Sequence, residues 1–410
     1  MNPEGDTPPS NTRLRQIPKG VWALGFVSLF MDISSEMVHS LLPVFFVSVI
    51  GLSYTSVGLI EGIAQAIALI TKVFSGALSD FIGKRKPLAL VGYGLAAVTK
   101  PVFALASSAG LIVSARFLDR VGKGIRGAPR DALIADITPE AVRGASFGIR
   151  QSLDSVGAFI GPGLALLLMF LLANDIRAVF WFAVIPAAIS VLVLWFGVRE
   201  PERPADAPKP RLPLHRSEIR KLSRSYWNTV AVGAVLTLAG FSEAFLVLRA
   251  QDIGLSLALI PLVFIVMNVV YALSAYPAGI LSDRWGRPSL IVAGFVVLIG
   301  ADAVLALAGD VTMVMIGVML WGLYMGLTQG VVTALVADTA PPELRGTAFG
   351  VFNLVSGISL LLASAIAGWL WDQYGAPAPF IASAAFAAVA LAGWFLRSRN
   401  NNSHSGAAPT

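Results

Sequence analysis

A stretch near the start of the chain places three ionisable side chains in an apolar setting, Met31-Asp-Ile-Ser-Ser-Glu-Met-Val-His39. Asp32, Glu36 and His39 are spaced i, i+4 and i+7, so in a helix they share one face. Ionisable groups inside a membrane helix are costly and mark function by default. Two carboxylates one turn apart do not both ionise easily at low dielectric, which suits a proton carrier. Histidine titrates near neutral pH and could share that task. The same trio could ligate a divalent metal such as Mn, Fe or Ni, or Asp32 and Glu36 could simply pair with Arg or Lys of neighbouring helices. Glu61 and Glu243 are further acids in apolar stretches.

A second constellation carries Arg116, Asp119, Arg120, Lys123, Arg126, Arg130 and Asp131. Arg116, Arg120 and Lys123 recur at i, i+4 and i+7 and form a stripe. Arg150, Gln151 and Asp154, further on, are expected to face it. Either this is a charge-paired gate, the reading favoured for Arg126 and Arg130 near a helix end, or it is a basic surface for an anionic substrate. For the deeper Arg116 and Arg120, substrate or proton coupling competes with simple pairing.

The elements that must position these residues follow from composition. Of 410 residues, 56% are hydrophobic and 13% charged, whereas a soluble domain carries about 25% charged residues. The mean hydropathy is +0.75. A helix crossing a bilayer needs roughly 20 mostly apolar residues. Twelve such spans are expected: 21–49, 54–78, 88–107, 110–135, 144–173, 177–198, 227–249, 257–281, 289–308, 311–338, 346–371 and 377–396. The fold class is therefore an all-α polytopic membrane protein. The polar stretch 199–225, with five prolines and many charges, divides it. The expected organisation is a tail (1–20), a six-helix bundle (21–198), a linker (199–225), a second six-helix bundle (226–396) and a second tail (397–410).

Lys and Arg set the orientation. With the N-terminus inside, 20 of the 30 bases fall on the cytoplasmic side and only Arg177 and Arg249 on the other. Such a split places both termini inside and makes the number of spans even. It also accounts for the net charge of +6 without nucleic acid, because the bases form no single patch. The absence of cysteine excludes disulfides and thiolate chemistry. The polar first 20 residues read as a short cytoplasmic tail, with no cleavable signal.

The halves repeat. Gly76-Ala-Leu-Ser-Asp80-Phe-Ile-Gly83-Lys84 recurs as Gly279-Ile-Leu-Ser-Asp283-Arg-Trp-Gly286-Arg287. Ala132-Leu-Ile-Ala-Asp136, then Arg143-Gly144, recurs as Ala334-Leu-Val-Ala-Asp338, then Arg345-Gly346. The offset is 203 for the first pair and 202 for the others. The fourth span has no charged counterpart, since Val318 to Thr333 bears none. Duplicated six-helix halves flanking a midplane site are a transporter arrangement.

With Gly76, Asp80, Gly83, Lys84 and Arg85 the chain resembles the major facilitator superfamily, whose signature here is Gly-x-x-x-Asp-Arg/Lys-x-Gly-Arg/Lys-Arg/Lys. Phe81 stands where a base is usual, and the second copy keeps its base as Arg284, beside Asp283, Gly286 and Arg287. The resemblance covers roughly residues 21 to 396. It implies the twelve-helix fold of that family and a latch on the cytoplasmic side, held by this loop in the outward-facing state. Asp136, Arg143, Asp338 and Arg345 repeat beside short loops and are read with this gate. In the fifth span Gly148, Gly157, Gly161 and Pro162 are similar to a family pattern tied to proton-exchanging exporters, with Ala165 and Leu166 replacing its last two glycines. The family also relates an Arg of the fourth span to proton transfer, and Arg120 is the best match, with Arg116 the alternative.

The resemblance thus implies a secondary transporter in a prokaryotic inner membrane, working by alternating access and exporting a small molecule against protons. An importer of an organic anion, favoured by the basic stripe, and a divalent-metal exporter are the alternatives. A monomer is expected, with lipid, substrate and protons as partners. No cofactor, resident metal, nucleotide loop or nucleophile-base pair is read from the chain, so no enzyme is expected.

Overall fold

The computed structural model describes residues 16–200, 216–341 and 344–405. Among the described residues twelve helical spans follow one another, two of them broken part-way and the sixth built of two helices. The first span is Lys19–His39, continued after a break by Leu42–Val44 and a π-helical turn, Phe45–Val49. The second to sixth are Tyr54–Ile82, Lys86–Leu105, Ala109–Ile137, Arg143–Leu171, and Ile176–Phe182 with Val184–Gly197. The seventh is Arg224–Ala239 with Ala244–Asp252. The eighth to twelfth are Leu262–Trp285, Arg287–Leu307, Val311–Thr339, Arg345–Tyr374 and Ala378–Ser405. Among the described residues, ten helices are long and apolar enough to cross a membrane. The fourth misses because of its charges, and the twelfth counts only as a shorter apolar helix, Ala378–Gly393.

Two spans expected to be continuous are broken, at matching places. Pro43 lacks an N–H and cannot continue the first span, so the helix stops at His39. The seventh stops at Gly240, where Ser242 N donates to Ser364 Oγ (3.1 Å) and Ala244 N to Ser242 Oγ (3.3 Å). Discontinuous helices in corresponding positions of two repeats are a feature of transporter binding regions.

The chain packs into two compact units. One gathers the residues up to His39 with those from Ile67 to Pro213, and the other gathers Ser40–Ala66 with the chain from Leu214 onward. In the first unit Val21, Leu24, Val27 and Met31 pack with Tyr93, Leu133, Ala187 and Leu194. Ser34 and Ser190 fasten the first span to the sixth by donating to Ala183 O and Val27 O, both at 2.7 Å. In the second unit Tyr226 and Val230 pack with Val336, Ala348 and Val351. Large apolar side chains such as Phe196, Leu273, Leu307 and Val389 point outward, as a lipid-facing surface requires.

Local contacts repeat between the units at an offset of 202. Ser108 and Asp310 cap the fourth and tenth spans. A Cβ on Gly92 would meet Arg126 N at 2.7 Å, and one on Gly294 would meet Thr328 Cγ2 at 2.2 Å. Only glycine allows such approach. The loops after the second and eighth spans turn through Gly83 (φ 74°) and Gly286 (φ 83°), a left-handed conformation that favours glycine.

Candidate functional site

The acids of the first span and the bases of the fourth meet inside the first unit. Arg126 Nη2 lies 3.7 Å from Asp32 Oδ1, and its guanidinium sits 5.0 Å over the Tyr93 ring, a favourable cation–π placement. Arg130 donates to Ser28 Oγ (2.9 Å) and to Asp131 Oδ1 (3.0 Å), and stands 3.7 Å from Asp154 Oδ1. Arg150 donates to Asp154 Oδ2 (3.1 Å) and lies 3.8 Å from Asp131. Asp154 stands close enough to Asp32 for the two carboxyls to interact. So the carboxyl that interacts with Asp32 comes from the fifth span, not from Glu36. Glu36 turns instead to His39 Nδ1, at 3.5 Å. Lys123 lies among Arg120, Glu36 and Asp32.

A deeper layer is closed. Lys100 Nζ donates to Asp119 Oδ1 (2.8 Å) and to Ser35 Oγ (3.3 Å), and Arg120 Nε lies 3.3 Å from Asp119 Oδ2. Lys100, Arg116, Asp119 and Arg120 are all buried. The two layers differ in access. The Asp32 and Asp154 side chains are 21% and 24% exposed, whereas Lys100 and Asp119 are 1% and 4%. The Asp32–Asp154 layer is therefore partly open, and the Lys100–Asp119 layer is not. The Lys100–Asp119 pair has the geometry of a structural tie.

The glycines of the fifth span bring the acids into place. A Cβ on Gly157 would lie 2.7 Å from Leu29 O and 3.1 Å from Asp32 Cβ, and one on Gly161 would lie 2.7 Å from Glu36 Cβ. Pro162 is buried beside them. Gly148 has nothing within 4 Å. Gly161→Ala is therefore expected to cost about 1–3 kcal/mol through overpacking, while Gly148→Ala is neutral. Thermal unfolding in detergent separates the two.

At the basic-loop end, Arg85 Nε binds Asp136 Oδ2 at 2.6 Å. Glu200 receives the backbone N–H groups of Arg85 (2.7 Å) and Lys86 (2.6 Å). The second unit repeats the first of these pairs as Arg287–Asp338. The base that binds is thus Arg85, not the Lys84 that the sequence offset of 203 aligns with Arg287. Lys84, Asp283 and Arg284 are exposed. Arg143 makes a surface contact with Glu140 (4.0 Å), and Arg345 donates to Ala337 O (3.3 Å). Gly76 approaches Ala128. The side chain of Asp80 lies outside the described residues.

Glu61 and Glu243 belong to the second unit. Glu61 is fully buried in the second span. Glu243 sits at the break of the seventh span, near Tyr271. The first-span trio does not converge, because Asp32 turns to Arg126 and Asp154. Among the described residues no group of three or more His, Cys, Asp or Glu gathers as a metal site.

A clasp at the opposite end was not expected from sequence. Asp372, on the eleventh span, accepts from Tyr54 N (3.1 Å), Thr55 N (2.8 Å) and Thr55 Oγ1 (2.5 Å), and so caps the second span. Tyr54 stacks on Trp371 at 4.7 Å. Below it the two helices approach closely. A Cβ on Gly58 would lie 2.1 Å from Ser364 O, and one on Gly62 would lie 2.8 Å from Leu361 Cα. Gln251 donates to Ser48 Oγ at 2.6 Å. The Gly58-x3-Gly62 spacing was the available signal.

Comparison with known proteins agrees with this architecture. A family model for the Major Facilitator Superfamily matches residues 24–249 and 230–410. An uncharacterized MFS-type transporter of Methanocaldococcus jannaschii is 33% identical, over 88% of this chain and 91% of its own length. The multidrug resistance protein MdtH of an Enterobacter species is 27% identical, over 82% and 83%. The crystal structure of a bacterial homolog to the human lysosomal transporter Spinster, inward-facing and unoccupied, has a TM-score of 0.75 at 17% identity and covers 96% of this chain and 98% of its own.

Proposed function

The chain belongs to the Major Facilitator Superfamily of membrane transporters, and on that premise we propose that it exports a small molecule in exchange for protons by alternating access. The observation that carries this reading is the partly exposed Asp32–Asp154 pair, ringed by Arg126, Arg130 and Arg150. Two interacting carboxyls resist being charged together, so in this reading the pair shares a proton. When the shared proton leaves, the three guanidiniums compensate the new charge. A bond available in only one protonation state biases the conformational equilibrium. In this reading Asp32 and Asp154 bind the proton, Arg126, Arg130 and Arg150 compensate them, and Glu36 with His39 relays to them. Arg116 and Arg120 tie the deeper layer.

The fifth-span glycines support export, as does likeness to a protein named for multidrug resistance. The basic-loop end is placed at the cytoplasm of a prokaryotic inner membrane, with both termini inside and a monomer as the working unit. There Arg85–Asp136 and Arg287–Asp338 form the cytoplasmic gate together with Asp80, Asp283 and the loop bases. In this reading the two bundles expected from sequence, 21–198 and 226–396, rock against each other.

A second reading rests on the same network's excess of base. Import of an organic anion with protons would use Arg116, Arg120 and Lys123 as its counter-charge. One experiment tests both. The protein is placed in liposomes holding a pH-sensitive dye, and lipophilic cations, neutral amphiphiles and organic anions are added in turn. Export by exchange moves protons against the solute, and anion import moves them with it. Solute flux with no proton movement in any class overturns both readings.

A further inference from the structure

The offset of 202 that aligns Arg85 with Arg287 and Asp136 with Asp338 also aligns Lys100 with Asp302. The two halves thus place opposite charges at the same buried point of the third and ninth spans. Lys100 has Asp119 as its counter-ion at 2.8 Å. The residue matching Asp119 is Trp321, and Asp302 has no ion pair among the described residues. Its side chain is fully buried, and Oδ1 has no hydrogen-bond partner.

The one polar contact of Asp302 among the described residues bears on its chemistry. Oδ2 is hydrogen-bonded to Ser383 Oγ of the twelfth span. Ser383 Oγ also bonds Ala239 O of the seventh span at 2.6 Å. A carbonyl oxygen only accepts, so the single hydroxyl hydrogen of Ser383 goes to Ala239. The second bond then needs a hydrogen from the carboxyl. A carboxylate there would press its charge against a serine lone pair, with no cation among the described residues to compensate it.

The surrounding groups offer no alternative. Tyr324 of the tenth span donates its OH to Leu236 O at 3.2 Å. Arg249 of the seventh span spends its guanidinium on Leu305 O (3.0 Å), Ala308 O (2.9 Å) and Asp252 (2.5 Å). On the eighth span the ionisable groups are Tyr271, which faces Glu243, and Tyr276, Asp283 and Arg284, which are exposed. Tyr226 of the seventh span bonds Ala348 O, and Arg224 lies beside it on the same segment's exposed first turn. Arg287 and Asp338 bind each other at the basic-loop end, and Asp310 caps the tenth span. The described residues of the twelfth span carry no ionisable side chain up to Gly393.

We infer that Asp302 is a proton-binding site of the second bundle, a neutral carboxylic acid that donates to Ser383 Oγ in a chain ending on Ala239 O. The site is separate from the Asp32–Asp154 layer. It gives up its proton only when water or a base reaches the packing of the seventh, ninth and twelfth spans.

Infrared difference spectroscopy of the whole protein in lipid tests this, because the C=O stretch of a neutral carboxyl stands apart from the carboxylate and amide bands. Subtracting Asp302→Asn from wild type at neutral pH should leave one neutral-carboxyl band. Ser383→Ala should shift that band, because the acid loses its acceptor. Asn keeps a donor for Ser383, so Asp302→Asn should retain the wild-type unfolding temperature. A difference spectrum showing a carboxylate pair of bands in place of the neutral band would overturn the inference. So would a neutral band that Ser383→Ala leaves unmoved.

Discussion

Asp32→Asn should reduce pH-gradient-driven solute flux by about a hundredfold, the equivalent of roughly 3 kcal/mol, and leave solute-for-solute exchange intact. Asparagine keeps the shape of Asp32 but cannot exchange a proton. Asp154 would then stay charged between Arg130 (3.7 Å) and Arg150 (3.1 Å), and the network would be fixed in one protonation state. Exchange of one solute for another needs no net proton movement, so it should survive. Parallel assays in the same liposomes read both quantities. Loss of exchange together with driven flux would place Asp32 in solute binding instead. Retention of both would remove it from the mechanism.

Asp372→Ala should open the clasp between the second and eleventh spans. Its carboxylate supplies an N-terminal cap, typically worth about 1 kcal/mol, and a favourable charge at a helix N-terminus, worth up to about 1 kcal/mol more. Losing about 2 kcal/mol changes the open-to-closed ratio roughly thirtyfold. The chain has no cysteine, so a single introduced thiol reports cleanly. Ser364 is fully buried where Gly58 meets the eleventh span. Labelling of Ser364→Cys by a membrane-impermeant maleimide should speed up about thirtyfold when Asp372→Ala is added. An unchanged rate would mean that the stack of Tyr54 on Trp371 and the Gly58–Gly62 packing hold this end without the cap.

The sequence made the fold legible because its signals were repeated. Apolar runs of span length recur along the chain, and the loop motifs recur at a nearly constant offset. The candidate site was only partly legible. That Asp32 and Glu36 are unusual follows from their apolar surroundings. That Asp32 meets Asp154 does not, because helical spacing shows which residues share a face and says nothing about the facing helix. The breaks at Ser40 and Gly240 were hidden in continuous apolar runs, although Pro43 was a warning in the first. Asp372 gives no local signal, since its partners lie more than 300 residues away. Asp302 was different, because a lone acid in an apolar span is a signal that sequence alone offers.

The central claim is that the Asp32–Asp154 pair carries the transported proton. The most direct test counts protons. A solute identified by the liposome panel is added to purified protein in weakly buffered detergent, and the pH change is recorded. Wild type should exchange a proton with the medium on binding, and Asp32→Asn and Asp154→Asn should each bind the solute with no pH change. An undiminished pH change in both variants would contradict the claim.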